Sequence, residues 1–167
     1  MSRTWKDIVR DAFNDVTSRY DQIGRKTGGR TLSLVISPKA ETLAVREWQS
    51  YIPSVQARFA FQEINILDIT VEETEKIGLD EVVNLLENPM IGEDPKKALG
   101  LRWENAAIKK MITICKEEHE KKLIIYVTKL SALYPATTPK NILQKLWKNI
   151  DQITVPVVLF LPGTEKE

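Results

Sequence analysis

Leu123-Ile124-Ile125-Tyr126-Val127-Thr128, then Leu133-Tyr134-Pro135, a segment of helical periodicity, and Val155-Pro156-Val157-Val158-Leu159-Phe160-Leu161-Pro162-Gly163 form the stretch that decides how this chain folds. Both apolar runs are rich in β-branched residues and lack polar alternation, which is the pattern of strands buried on both faces of a parallel sheet. Between them, Thr138-Pro139 opens a helix on which Ile142, Leu143, Leu146, Trp147 and Ile150 share one side. Strand, helix and strand in that order read as a βαβ unit, because parallel neighbours need a crossover connection.

Working outward from that unit, the same logic recurs. Trp5, Ile8, Val9, Ala12, Phe13, Val16 and Tyr20 are spaced for a helix over residues 1–21, with Thr4 as N-cap and Asp7 in its first turn. Residues 22–31 follow as a basic, glycine-rich loop, and Leu32-Ser33-Leu34-Val35-Ile36 reads as a strand. Ser37-Pro38 then starts a helix carrying Ala40, Leu43, Ala44, Trp48, Tyr51 and Ile52 until Pro53 interrupts it. A second strand is expected over 63–69, where Ile64, Ile66 and Asp68 would share a face. Thr70 and Glu73 then have the spacing of a capping box, ahead of short helices over 71–77 and 80–87. Asp94-Pro95 starts a longer helix with Leu99, Trp103, Ala107, Met111, Ile114 and Cys115 near one stripe, ending in the charged run 116–122.

Four strands separated by helices predict an α/β fold: a mainly parallel sheet with helices on both faces, Rossmann-like or P-loop-like in topology but without a Walker motif. A single domain over 1–167 is expected, with an α/β core over 32–163 and a tail over 164–167.

Composition narrows the function classes. With 24 Lys and Arg against 23 Asp and Glu, the net charge of +1 supplies no overall basic field for a nucleic acid or an anionic membrane. The one cysteine, Cys115, excludes an intramolecular disulfide and a cysteine-built zinc site. No apolar run approaches the ~20 residues that span a bilayer, and the start Met-Ser-Arg-Thr-Trp is not a signal peptide, so a cytoplasmic protein is expected.

In a fold of this class, ligands sit beyond the carboxyl ends of the strands, which directs attention to Ser37, Asp68, Thr128, Lys129 and Pro162-Gly163. Asp68, Thr128 and Lys129 are the strand-end candidates for a ligand site. Arg25, Lys26 and Arg30 of the basic loop are candidates for contact with phosphate, although the loop lacks Gly-x-x-x-x-Gly-Lys-Ser/Thr and precedes a strand instead of following one. Metal-assisted hydrolysis wants several convergent carboxylates, and the chain offers no Asp-x-Asp, no Glu-x-Lys after a strand and no His cluster. His119 within a Glu/Lys run reads as a solvated helix end, Cys115 as core filling, and the four tryptophans as packing on helical apolar faces. No catalytic residue, metal or cofactor is expected.

The segments Leu-Ile-Ile-Tyr-Val-Thr (123–128), Leu-Tyr-Pro (133–135), Ile-Leu-Gln-Lys-Leu (142–146) and Val-Pro-Val-Val-Leu-Phe-Leu-Pro-Gly (155–163) resemble, in order, the carboxyl half of the BrxB family of BREX phage-defence systems. Residues 34–47 and 64–69 are similar to that family's first strand and helix and its second strand. Where the family has Gly-Val-Gly after the threonine, this chain has Lys129-Leu130-Ser131. The resemblance implies a non-catalytic accessory component of an antiviral system that associates with a larger subunit, such as the PglZ-like protein of the alkaline-phosphatase superfamily. One alternative is a local nucleic-acid contact through Arg25, Lys26 and Arg30. Another is a nucleotide- or metal-dependent hydrolase with its site at Asp68, Thr128 and Lys129.

Overall fold

The structure is a computed structural model that describes residues 4–22, 31–88, 94–117 and 119–163, except for the side chain of Leu85. The elements run α1 (Trp5–Ser18), β1 (Thr31–Ile36), α2 (Glu41–Tyr51), β2 (Phe59–Asn65), α3 (Ile66–Ile77), α4 (Leu79–Glu87), α5 (Pro95–Lys116), β3 (Lys122–Thr128), α6 (Pro139–Lys148) and β4 (Val157–Pro162). Arg25, Lys26 and Arg30 lie outside the described residues.

The four strands form one sheet in the order β1-β4-β3-β2, and every neighbouring pair is parallel. From β1 the chain crosses to the far edge through α2, then works back through β3 and β4. Successive residues of β3 alternate between two cores, with Leu123, Ile125 and Val127 on one side and Ile124 and Tyr126 on the other. This alternation of a wholly apolar run is why the sheet needs a helical layer on each face. Helices α1 and α2 cover the first face with Val9, Phe13, Val16, Ala44 and Trp48. The opposite face is covered by α3, α5 and α6, through Ile66, Ile69, Ala107, Met111, Ile142 and Leu146. The outward and return crossovers travel in opposite directions on opposite faces and so share one hand, as the strong preference for a single crossover handedness demands.

The helix starts follow their caps. Thr4 and Asp7 form a reciprocal capping box on α1. Asp94 accepts from the backbone N–H of Lys96 and Lys97 at 3.1 and 3.3 Å, ahead of Pro95 at the first position of α5. Ser37 makes no side-chain cap; a 3-10 turn over Pro38–Ala40 intervenes, and α2 begins at Glu41.

The expected strand over 63–69 is corrected. Strand β2 ends at Asn65, and Ile66 already belongs to α3, whose buried residues Ile66, Ile69, Thr70 and Glu73 follow helical spacing. Asn65, not Thr70, caps this helix, its Oδ1 accepting from the N–H of Asp68 at 3.3 Å. A run as short as Ile64–Ile69 satisfies both periods, and the amide of Asn65 breaks the tie. Asp68 is therefore an exposed residue of a helical first turn and not a strand residue.

Candidate functional site

At the carboxyl edge of the sheet, β1 leaves towards the face covered by α1 and α2, while β3 leaves towards the opposite face. Such divergence opens a crevice in α/β folds. Here it is bridged. Glu41, at the start of α2, is 8% exposed and accepts the backbone N–H of Lys129 at 2.9 Å, joining the exits of β1 and β3. The N–H of Gly163 donates to the carbonyl of Ile36 at 3.0 Å and joins β4 to β1. A Cβ at 163 would lie 2.6 Å from Val35 Cγ1, so a side chain there would have to displace that half-exposed valine.

Beneath this bridge lies a polar cluster. Thr128 is buried, and its hydroxyl donates to Glu63 Oε2 at 2.7 Å across the β2–β3 pair. Gln49 of α2 donates its amide to the hydroxyl of Tyr126 at 3.3 Å. Burial pushes the Tyr126 phenol above its ordinary pKa, a shift opposed by the Gln49 hydrogen bond and reinforced by the nearby Glu63 carboxylate. Lys129 adopts a left-handed backbone conformation, with φ of 61°. That conformation is one a glycine takes without penalty and an L side chain only at a cost.

Of the strand-end candidates, Thr128 and Lys129 fall within this cluster, whereas Asp68 stands one helical turn beyond the end of β2. Glu41 and Gln49 were not expected there. Glu41 reads in sequence as an ordinary first-turn carboxylate, and only strand order brings it to Lys129. Chemically, the cluster pairs the Thr128 hydroxyl and the Lys129 amide with carboxylates, an arrangement that ties the exit of β3 to α2 and to β2. Among the described residues, no three His, Cys, Asp or Glu side chains gather to hold a metal ion. His119 is exposed, its Nε2 lying 2.8 Å from the carbonyl of Ile114.

A second feature lies outside the sheet. Helices α3, α4 and α5 enclose an open groove of about 870 Å³, with Ile69, Ile77, Val82, Leu86 and Leu99 among its lining. Helix α4 turns Val82 inward but leaves Leu79, Val83 and Leu86 at 67%, 42% and 40% exposure, a stripe at i, i+4 and i+7. Within the groove, Glu73 is bound by Lys76 at 2.8 Å and Arg102 at 3.2 Å. The Lys76 hydrogen bond, with the charges of Lys76 and Arg102, holds the Glu73 carboxyl below the usual carboxylate range against the opposing effect of burial. Lys109, Lys110 and the carboxylate of Glu72 also line the groove. The tryptophans divide: Trp48 is fully buried, but Trp147 is 53% exposed and departs from the expectation that all four pack inside.

The family model described as BREX protein BrxB matches residues 62–167, more than half of the chain. The chain belongs to the BrxB family. BrxB membership makes it a component of a BREX phage-defence system. The matched region takes in α3 to α6, β3 and β4, and with them the groove; residues 34–47, expected to resemble the family, lie outside it. Neither a curated protein nor a solved structure matches the chain. Among the described residues, no helix is long and apolar enough to cross a membrane.

Proposed function

We propose that this BrxB protein is a non-catalytic accessory component that docks onto a larger BREX subunit, the groove between α3, α4 and α5 receiving an amphipathic helix of that partner. The observation that carries the reading is the exposed stripe Leu79, Val83 and Leu86 beside a groove with an apolar floor. An amphipathic helix in such a groove buries apolar residues at i, i+3 or i+4, and i+7. With Glu73 engaged by its two cations, and with Glu72, Lys109 and Lys110 also lining the groove, the rim carries both signs, so the apolar positions of the incoming helix supply the contact. The family resemblance makes a PglZ-like protein of the alkaline-phosphatase superfamily the partner to test.

The experiment is co-purification of the tagged chain with co-expressed BREX subunits, comparing the native protein with a Leu79→Asp, Leu86→Asp double variant. The native chain is expected to retain a stoichiometric large subunit at moderate salt, and the variant to lose at least tenfold of it, as for removal of central apolar anchors (about 1.4 kcal/mol per factor of ten). Recovery of the native chain alone, or undiminished recovery by the variant, would overturn the docking reading.

A further inference from the structure

Helix α5 has a second side. Between α5 and α6 runs a cleft of about 460 Å³ with Lys109, Lys116, Lys145 and Lys148 on its walls and Ile108 and Ile112 among its apolar lining. Among the described residues, no carboxylate lines it. Lys145 is committed, its Nζ lying 2.8 Å from Asn105 Oδ1 and 3.8 Å from the buried Glu104, whose carboxylate also accepts from the Thr137 hydroxyl. Among the described residues, no carboxylate comes within ion-pair distance of Lys109, Lys116 or Lys148, and all three are exposed. The chain as a whole is almost neutral, so this concentration of like charge is local.

Helix dipoles account for Lys116, Lys145 and Lys148 one at a time, as cations in the last turns of α5 and α6. They do not account for Lys109, two turns earlier, nor for the convergence of the two helices on a cleft lined, among the described residues, by no acidic side chain. We infer that the α5–α6 cleft binds the phosphate backbone of a nucleic acid, without reading its sequence.

Two arguments select nucleic acid over an acidic protein segment. Every charged wall residue is lysine, a compact point charge suited to phosphate, whereas planar carboxylates are best held by the fork of arginine. Lysine is also depleted at protein–protein interfaces, where its long side chain and strongly hydrated ammonium are costly to bury. Lys109 and Lys116 are seven residues apart on α5, about 10 Å along the axis, so they address separate phosphates. Of the polar side chains that share the cleft, Thr113 and Asn149 donate to the carbonyls of Lys109 and Lys145, and Asn105 accepts from Lys145, so with Gln152 as the remaining amide the contact is set mainly by charge.

The test uses the full chain and fluorescent duplex DNA, single-stranded DNA and RNA of unrelated sequences, titrated between 50 and 200 mM salt. Three phosphate contacts predict a slope of log affinity against log salt of about −3, or slightly shallower on single strands. Lys116→Gln with Lys148→Gln should reduce the slope by about 2 and the affinity at the lowest salt about tenfold or more, while Lys96→Gln with Lys97→Gln, at the opposite end of α5, should leave both unchanged. Neither Lys116 nor Lys148 lines the docking groove, so failure here is distinct from failure of partner docking. Thermal denaturation verifies folding, and Lys116→Gln alone, expected to reduce the slope by about 1, keeps the inference testable should the double variant not fold. The inference is overturned by absence of binding to all three probes at 50 mM salt, by binding that ignores the cleft variants, or by equal competition from polyglutamate at matched charge.

Discussion

On one face of the sheet, α1 and α2 close over rings; on the other, α3, α5 and α6 close over aliphatic chains. Trp48 sits at the centre of the first, with ring centroids of Phe13 at 4.9 Å, Phe160 at 5.8 Å, Tyr126 at 5.9 Å and Phe61 at 6.0 Å. Large rings let two helices suffice, because each buries 150–250 Å² and meets several neighbours. The second face is filled by smaller Ile, Leu, Val and Met side chains and needs more helices, with α4 only partly engaged. Its outer surfaces therefore remain available, and the apolar groove and the lysine cleft both use α5. One face holds the sheet and its strand exits together; the other presents surfaces. The part of the chain that matches the family model contains those surfaces almost in full, while α1, β1 and α2 precede it.

That division can be broken at three points. Trp48→Ala should cost the most, about 3–5 kcal/mol in urea or thermal unfolding, because a fully buried ring at a cluster centre leaves a cavity that its neighbours cannot fill. A loss below about 1 kcal/mol would mean that the rings are not one packed unit. On the aliphatic side, Gly100 of α5 faces the chain between β3 and α6, and a Cβ there would lie 2.5 Å from the Ala136 carbonyl oxygen. Gly100→Ala is therefore expected to destabilise by about 1–3 kcal/mol despite the better helix propensity of alanine. If the variant is neutral or more stable, α5 and that segment are less closely seated than described.

The smallest effect belongs to the groove. Glu73→Gln should cost roughly 1 kcal/mol at neutral pH, since both of its cationic partners are substantially exposed. The folded carboxyl titrates below the ordinary glutamate value of about 4.3, so its contribution is complete above that value and disappears as pH falls through the lower folded one. Unfolding curves of the native chain and Glu73→Gln should differ at pH 7 and converge towards pH 3. A constant separation across that range would place the effect of the substitution in packing and not in charge.

Strand β3 and the expected last strand are observed within a residue or two because continuous apolar runs bounded by Pro, Gly and charge admit few other readings. The caps at Thr4 and Asp94 were equally legible, since capping is a bond between residues at most a few positions apart. Ile64–Ile69 was misplaced for the complementary reason: local pattern was ambiguous, and one amide settled it.

By itself, then, the sequence determined the α/β class, the need for a parallel sheet covered on both faces, and the family, because these depend on periodicity and short motifs. Tertiary structure alone decided the order β1-β4-β3-β2, the meeting of Glu41 with Lys129, eighty-eight residues apart, and the gathering of four lysines from two helices. Local pattern records which face a side chain prefers. It does not record which distant segment will lie opposite, since that is set by the packing of whole helices on whole sheets.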